Sequence, residues 1–122
     1  MMVVWVGLAG SGGAVARFVL DGMIRSRRAT EFPWATVLIN VTGSLLLGAL
    51  TGLVVFHGAP SSMQTIAGVG FCGGYTTFST ASYETVRLIQ RQRLGAAAAN
   101  AIGTLALTVV AGAAGLAAVA LW

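Results

Sequence analysis

Asn40, Phe78 and a run of hydroxyls at Thr76, Thr77, Ser79, Thr80 and Ser82 are the residues whose types could handle a small ion. None of them carries a charge. A carboxamide offers two N–H donors and a carbonyl acceptor, so Asn40, set deep in an apolar stretch, suits either a partly dehydrated anion or a neighbouring helix. An aromatic ring has a positive edge, and Phe78 can face an anion without trapping it on a full charge. A conducting site needs such moderate binding, strong enough for entry and weak enough for exit. Asn100, Thr104 and Thr108 lie one turn apart on a single helical face and offer further polar groups. Enzymatic chemistry finds no support: there are no paired carboxylates and no nucleophile beside a base. The GSGG run at 10–13 has Val15 where a dinucleotide loop needs its third glycine.

The stretch that must position these groups is Gly68 to Ser82, GVGFCGGYTTFSTAS, inside an otherwise apolar segment. Each glycine lowers helix propensity by about 1 kcal/mol relative to alanine, and four of them (Gly68, Gly70, Gly73, Gly74) precede the hydroxyls. Irregular backbone at membrane depth is tolerated only where protein or a watery cavity covers it. A broken span with freed carbonyls and hydroxyls is therefore expected here. The chain has 122 residues, 57% hydrophobic and 8% charged, against about 25% charged in soluble domains. At about 20 residues per crossing, the sequence reads as an all-α membrane protein, one four-helix domain over residues 1–122. The spans fall at roughly 2–24, 33–56, 62–87 and 94–121, with the third broken near its middle. The opening MMVVWV has no basic region of the kind that precedes a cleaved signal. Cys72 stands alone, which excludes a cysteine metal cluster, and reads as a small packing residue. Gly10, Gly12 and Gly13 in span one, and the Gly48/Gly52 pair in span two, read as packing faces. Four short helices enclose no pore, so these faces predict dimerisation, with the conducting surface made between subunits.

All seven basic residues are arginines, and six of them (Arg25, Arg27, Arg28, Arg87, Arg91, Arg93) lie in or beside loops one and three. The positive-inside rule then predicts those loops cytoplasmic, both termini outside and one orientation in the cell (plasma or inner) membrane. That topology accounts for the net charge of +4 without nucleic acid. Arg17 and Asp21, spaced i, i+4, are expected to pair, with Arg17 and Glu84 as candidates for a pore vestibule. Glu84 reads as a solvated residue near the end of span three, and His57 as a solvated loop residue.

The segments GGAVARF (12–18), PWATVLINVTGSLLLG (33–48) and GVGFCGGYTTFSTASYE (68–84) resemble the three signatures of the Fluc/CrcB fluoride channels. The resemblance covers the whole chain. It implies an antiparallel dimer of four-helix subunits with two narrow fluoride pores, conducting passively and relieving cytoplasmic fluoride toxicity. It also implies a structural sodium ion (Na+) at the dimer centre, held by backbone carbonyls that fall here on Gly73 and Thr76, as befits a hard cation. The family's pore amide falls on Asn40 and its first pore phenylalanine on Phe78. Ser79, Thr80, Thr104 and Thr108 fall on a polar track beside the pore. One position departs: the second phenylalanine of the pattern is Ala81 here. Tyr83 lies about 140° round the helix from Phe78 and does not replace it. A homodimer would then have damaged pores, and a chain fixed in one orientation does not pair antiparallel with itself. The expectation is a heterodimer with an oppositely oriented paralogue. Two alternatives remain: a small proton-coupled multidrug exporter, which needs an embedded carboxylate where span one has only Asp21 near its end, and a non-transporting subunit of a heterodimeric channel.

Overall fold

The computed structural model describes residues 1–27 and 32–122, and these are helical throughout apart from short connections. In order, they form α1 (Met2–Arg27), α2 (Trp34–His57), α3 (Ser61–Met63), a π-helical stretch (Gln64–Cys72), α4 (Gly73–Tyr75), α5 (Phe78–Gln90) and α6 (Leu94–Ala120). Helices α1, α2 and α6 are each long and apolar enough to cross a membrane. Large apolar side chains such as Leu8, Val15, Leu105 and Val109 point outward. That is the reverse of a water-soluble core, and it fits a multi-pass membrane protein whose outer solvent is lipid. The arginine Arg28, counted above among the loop charges, lies outside the described residues.

Glycine sets the helix spacing. A Cβ at Gly48 would run into the carbonyl of Gly112, one at Gly115 into the carbonyl of Leu45, and one at Gly52 into Val119. These contacts seat α2 on α6 of the same chain. Likewise a Cβ at Gly13 would meet the Phe71 carbonyl, and one at Gly74 the Gly10 carbonyl, which seats α1 on the π-helical stretch and α4. Of the glycines expected at a subunit seam, Gly10, Gly13, Gly48 and Gly52 thus pack within one subunit, while Gly12 stays open. Small residues let two backbones approach, and here the backbones that approach belong to one chain.

The break also differs from its expectation. The glycine-rich half does not unravel: Gln64–Cys72 keeps helical bonding in the wider π form and runs on into α4. Only Thr76 and Thr77 leave the helix, with φ/ψ of −81°/158° and −147°/118°. Extended backbone suits β-branched side chains, which are stiff at χ1.

The two ends of the bundle are chemically different. Arg25 Nη2 lies 2.7 Å from Glu84 Oε2, which places the end of α1 beside the middle of α5. At the opposite end, His57 is the last residue of α2 and no loop residue. Its Nε2 is 2.8 Å from the Val119 carbonyl, and its ring sits 5.4 Å from that of Trp122.

Candidate functional site

The two extended threonines need partners for their backbone, and α2 supplies them. Asn40 Nδ2 donates to the Thr77 carbonyl at 3.0 Å, and the Thr77 N–H donates to Asn40 Oδ1 at 2.8 Å. The Thr77 hydroxyl in turn accepts the Thr80 N–H at 3.1 Å, capping α5. These bonds have a consequence one turn back. In an uninterrupted helix the Thr77 N–H would bond the Gly73 carbonyl, and the Thr80 N–H the Thr76 carbonyl. Asn40 and the Thr77 hydroxyl divert both donors, so the carbonyls of Gly73 and Thr76 are released from helical bonding.

The break is also propped from behind. Gly43 of α2 leaves room for the Thr76 methyl and the Tyr75 ring, where a Cβ would collide with the methyl and crowd the ring. Tyr75 is buried, its hydroxyl 2.9 Å from Thr42 Oγ1 and its ring stacked on Phe71 at 5.9 Å. The Thr76 hydroxyl donates back to the Cys72 carbonyl at 2.8 Å.

In front of the break lies an open groove of about 870 Å³, and Asn40, Gly73, Thr76, Phe78, Thr104 and Thr108 all line it. A Cβ at Gly73 would meet nothing within 4 Å, so this wall is open. Phe78 projects from the start of α5 and is 88% exposed in the single subunit. Ser79 and Thr80 do not line the groove. At about 100° per residue they turn away from the face that carries Phe78, Ala81, Ser82 and Thr85, and those four do line it. Ser79 Oγ is instead 3.4 Å from the Thr77 hydroxyl.

Asn100 joins the groove without having been singled out beyond its helical face. It is 1% exposed. Its Nδ2 donates to Thr85 Oγ1 at 2.8 Å and to the Ala81 carbonyl at 3.4 Å, and its Oδ1 accepts from Thr104 Oγ1 at 3.4 Å. The spacing Asn100, Thr104, Thr108 carried this signal, since all three share one face of α6.

The ionic residues are arranged differently from expectation. Asp21 pairs with Arg25 at 2.8 Å and not with Arg17. An acidic residue four positions before a basic one is the better orientation on a helix, and Arg25 alone also reaches Glu84. Glu84 is correspondingly enclosed, its side chain only 14% exposed, and is no solvated end residue. Arg17 Nε and Glu84 Oε1 are each buried with no hydrogen-bond partner. Among the described residues no group of His, Cys, Asp or Glu could hold a metal ion. The released carbonyls of Gly73 and Thr76 are the oxygen donors that a hard cation would find here.

Residues 4–116 match the family described as CrcB-like protein, Camphor Resistance (CrcB). The chain is similar to fluoride-specific ion channel FluC 1 of Leifsonia xyli subsp. xyli, 53% identical over 116 residues, 95% of this chain and 83% of that protein. It is similar to fluoride-specific ion channel FluC 2 of Cutibacterium acnes, 53% identical over 88 residues, 71% of this chain and 72% of that one. It is also 44% identical over 112 residues to fluoride-specific ion channel FluC of Nitrobacter winogradskyi, with 91% and 89% of the two chains covered.

Proposed function

The chain belongs to the CrcB-like family, and on that premise we propose that it is a fluoride-specific channel subunit whose groove forms one wall of a passive anion path. The observation that carries this is Asn40. With Oδ1 and one N–H engaged at Thr77, the amide keeps a second N–H. It sits in the groove that also holds the Phe78 ring and the Thr104 and Thr108 hydroxyls. A fluoride ion passing there trades water for one amide donor, hydroxyl donors and a positive ring edge. No full charge holds it. That balance permits both selectivity and exit.

The groove is open, and an open groove at membrane depth needs a second wall. An antiparallel partner subunit supplies it, giving eight crossings, four from each chain. Asn40 both props the break and faces the path, so helix continuity and conduction are coupled through one side chain. A sodium ion at the subunit seam, when bound, supplies a fixed positive charge that the carbonyls of Gly73 and Thr76 satisfy together with those of the partner. The arginine-rich end faces the cytoplasm, so that cytoplasmic fluoride leaves down its gradient.

Ala81 bears on which partner is used. It lines the groove on the Phe78 face, where the family pattern places a second ring, and its methyl offers an anion no positive edge. Pairing with an oppositely oriented paralogue that carries the ring repairs one path. The drug-exporter alternative needs a free embedded carboxylate, and Asp21 and Glu84 are both tied to Arg25. The test is fluoride-electrode efflux from liposomes holding this chain alone, and with such a paralogue. Efflux that requires the pair supports the heterodimer. Full efflux from the chain alone refutes the heterodimer and keeps the channel, and no efflux from either preparation refutes the channel.

A further inference from the structure

A second cavity, about 370 Å³, lies away from the groove at the arginine-rich end, lined by Ile24 and Arg27 of α1 and Trp34 and Leu38 of α2. Its chemistry changes with depth. Arg27 is the last residue of α1 and Trp34 the first of α2, so both sit at the level where a spanning helix meets the headgroups. Ile24 and Leu38 lie one turn further in on each helix, about 5 Å deeper. Arg27 is exposed and makes no hydrogen bond or ion pair among the described residues. Trp34 is 46% exposed, its ring set by Phe32 at 4.7 Å. An exposed guanidinium at the rim, an indole beside it and an apolar floor below reproduce the polarity profile of one kind of molecule.

We infer that this cleft is a site for an anionic phospholipid, with the phosphate against Arg27, the glycerol region beside the Trp34 indole and an acyl chain over Ile24 and Leu38. A free phosphate has no use for the apolar floor, and a zwitterionic lipid offsets its phosphate with a cation that Arg27 repels. The site rests on the membrane reading of the chain and not on its conducting fluoride.

The test uses the full-length protein with Trp5→Phe and Trp122→Phe, both at the opposite end, so that Trp34 alone fluoresces. It is reconstituted in vesicles of phosphatidylcholine with either brominated phosphatidylglycerol or brominated phosphatidylcholine at equal bromine content. Quenching should show about a fivefold preference for the phosphatidylglycerol, the factor expected from one arginine at an anionic surface. Arg27→Gln should abolish the preference, whereas Arg87→Gln, an equal loss of charge at the same end, should keep it. Equal quenching by both lipids overturns the site, and so does equal loss in the two arginine variants. Displacement by inorganic phosphate at millimolar concentration would show a free-anion site in place of a lipid one. Native mass spectrometry of the unsubstituted protein with the two lipids in equal amounts gives the same comparison without tryptophan changes, and retention without headgroup preference would likewise overturn it.

Discussion

At the scale of single residues, the two side chains proposed to line the path differ in what they hold up, and substitution separates them. Phe78 is 88% exposed in the subunit, so Phe78→Ile removes little packing within the chain. Its thermal midpoint should stay within about 2 °C of the parent, as for a surface change of under 0.5 kcal/mol, while fluoride efflux falls at least tenfold. Unchanged efflux would take the ring out of the path. Asn40→Asp should behave differently. It removes the donor to the Thr77 carbonyl, leaving that acceptor unpaired at a cost of about 1–3 kcal/mol, and it places a like charge in front of the anion. Both stability and efflux should drop, and a variant that conducts normally would refute the coupling of break and path. The sequence singled out Asn40 as a buried amide in need of a partner, but its partner lies 37 positions away and no local spacing names it. The ionic residues show the same limit. Asp21 has an arginine four positions away on either side, and spacing alone leaves that tie open. It is broken by helix polarity and by Glu84, which local pattern does not bring near.

At the scale of elements, the legible feature was that the third segment is interrupted, and the illegible one was how. Glycine was read as a helix breaker there, yet Gly70 and Gly74 are placed where α1 presses on them, at Val6, Ala9 and Gly10. Packing overrides propensity, and the interruption falls on the two threonines instead. This makes a paired prediction on one helix. Gly13→Ala drives a methyl into the Phe71 carbonyl, while a Cβ at its neighbour Gly12 meets nothing within 4 Å. Gly13→Ala should destabilise by roughly 1–3 kcal/mol, the usual cost of overpacking. Gly12→Ala should be neutral or stabilising by up to about 1 kcal/mol through helix propensity. Thermal unfolding in detergent, followed by circular dichroism, checks both. Equal effects would mean that α1 does not pack through Gly13. The faces of α2 and α6 teach the same lesson, since a GxxxG spacing reports close helix contact but not whether the contact lies within or between subunits.

At the scale of the whole molecule, charge asymmetry is the ground for the proposed assembly. Arg25, Arg27, Arg87, Arg91 and Arg93 gather toward one end, joined across helices by the Arg25–Glu84 pair, while the other carries His57 and Trp122. Such a bias orients a chain during insertion. Antiparallel pairing of identical chains would need half of them inserted against it, whereas an oppositely biased paralogue pairs without that conflict. The orientation can be read directly in cells with Cys72→Ser removing the native thiol, which is buried. In that background Ser62→Cys reports the end near α3 and Ser26→Cys the arginine-rich end, and both positions are exposed. A membrane-impermeant maleimide added to intact cells should modify Ser62→Cys and leave Ser26→Cys unmodified until the membrane is opened. Modification of both to similar extents would mean that the chain inserts both ways round. The case for a second gene product would then fall, and Ala81 would have to be accommodated in a homodimer with two weakened paths.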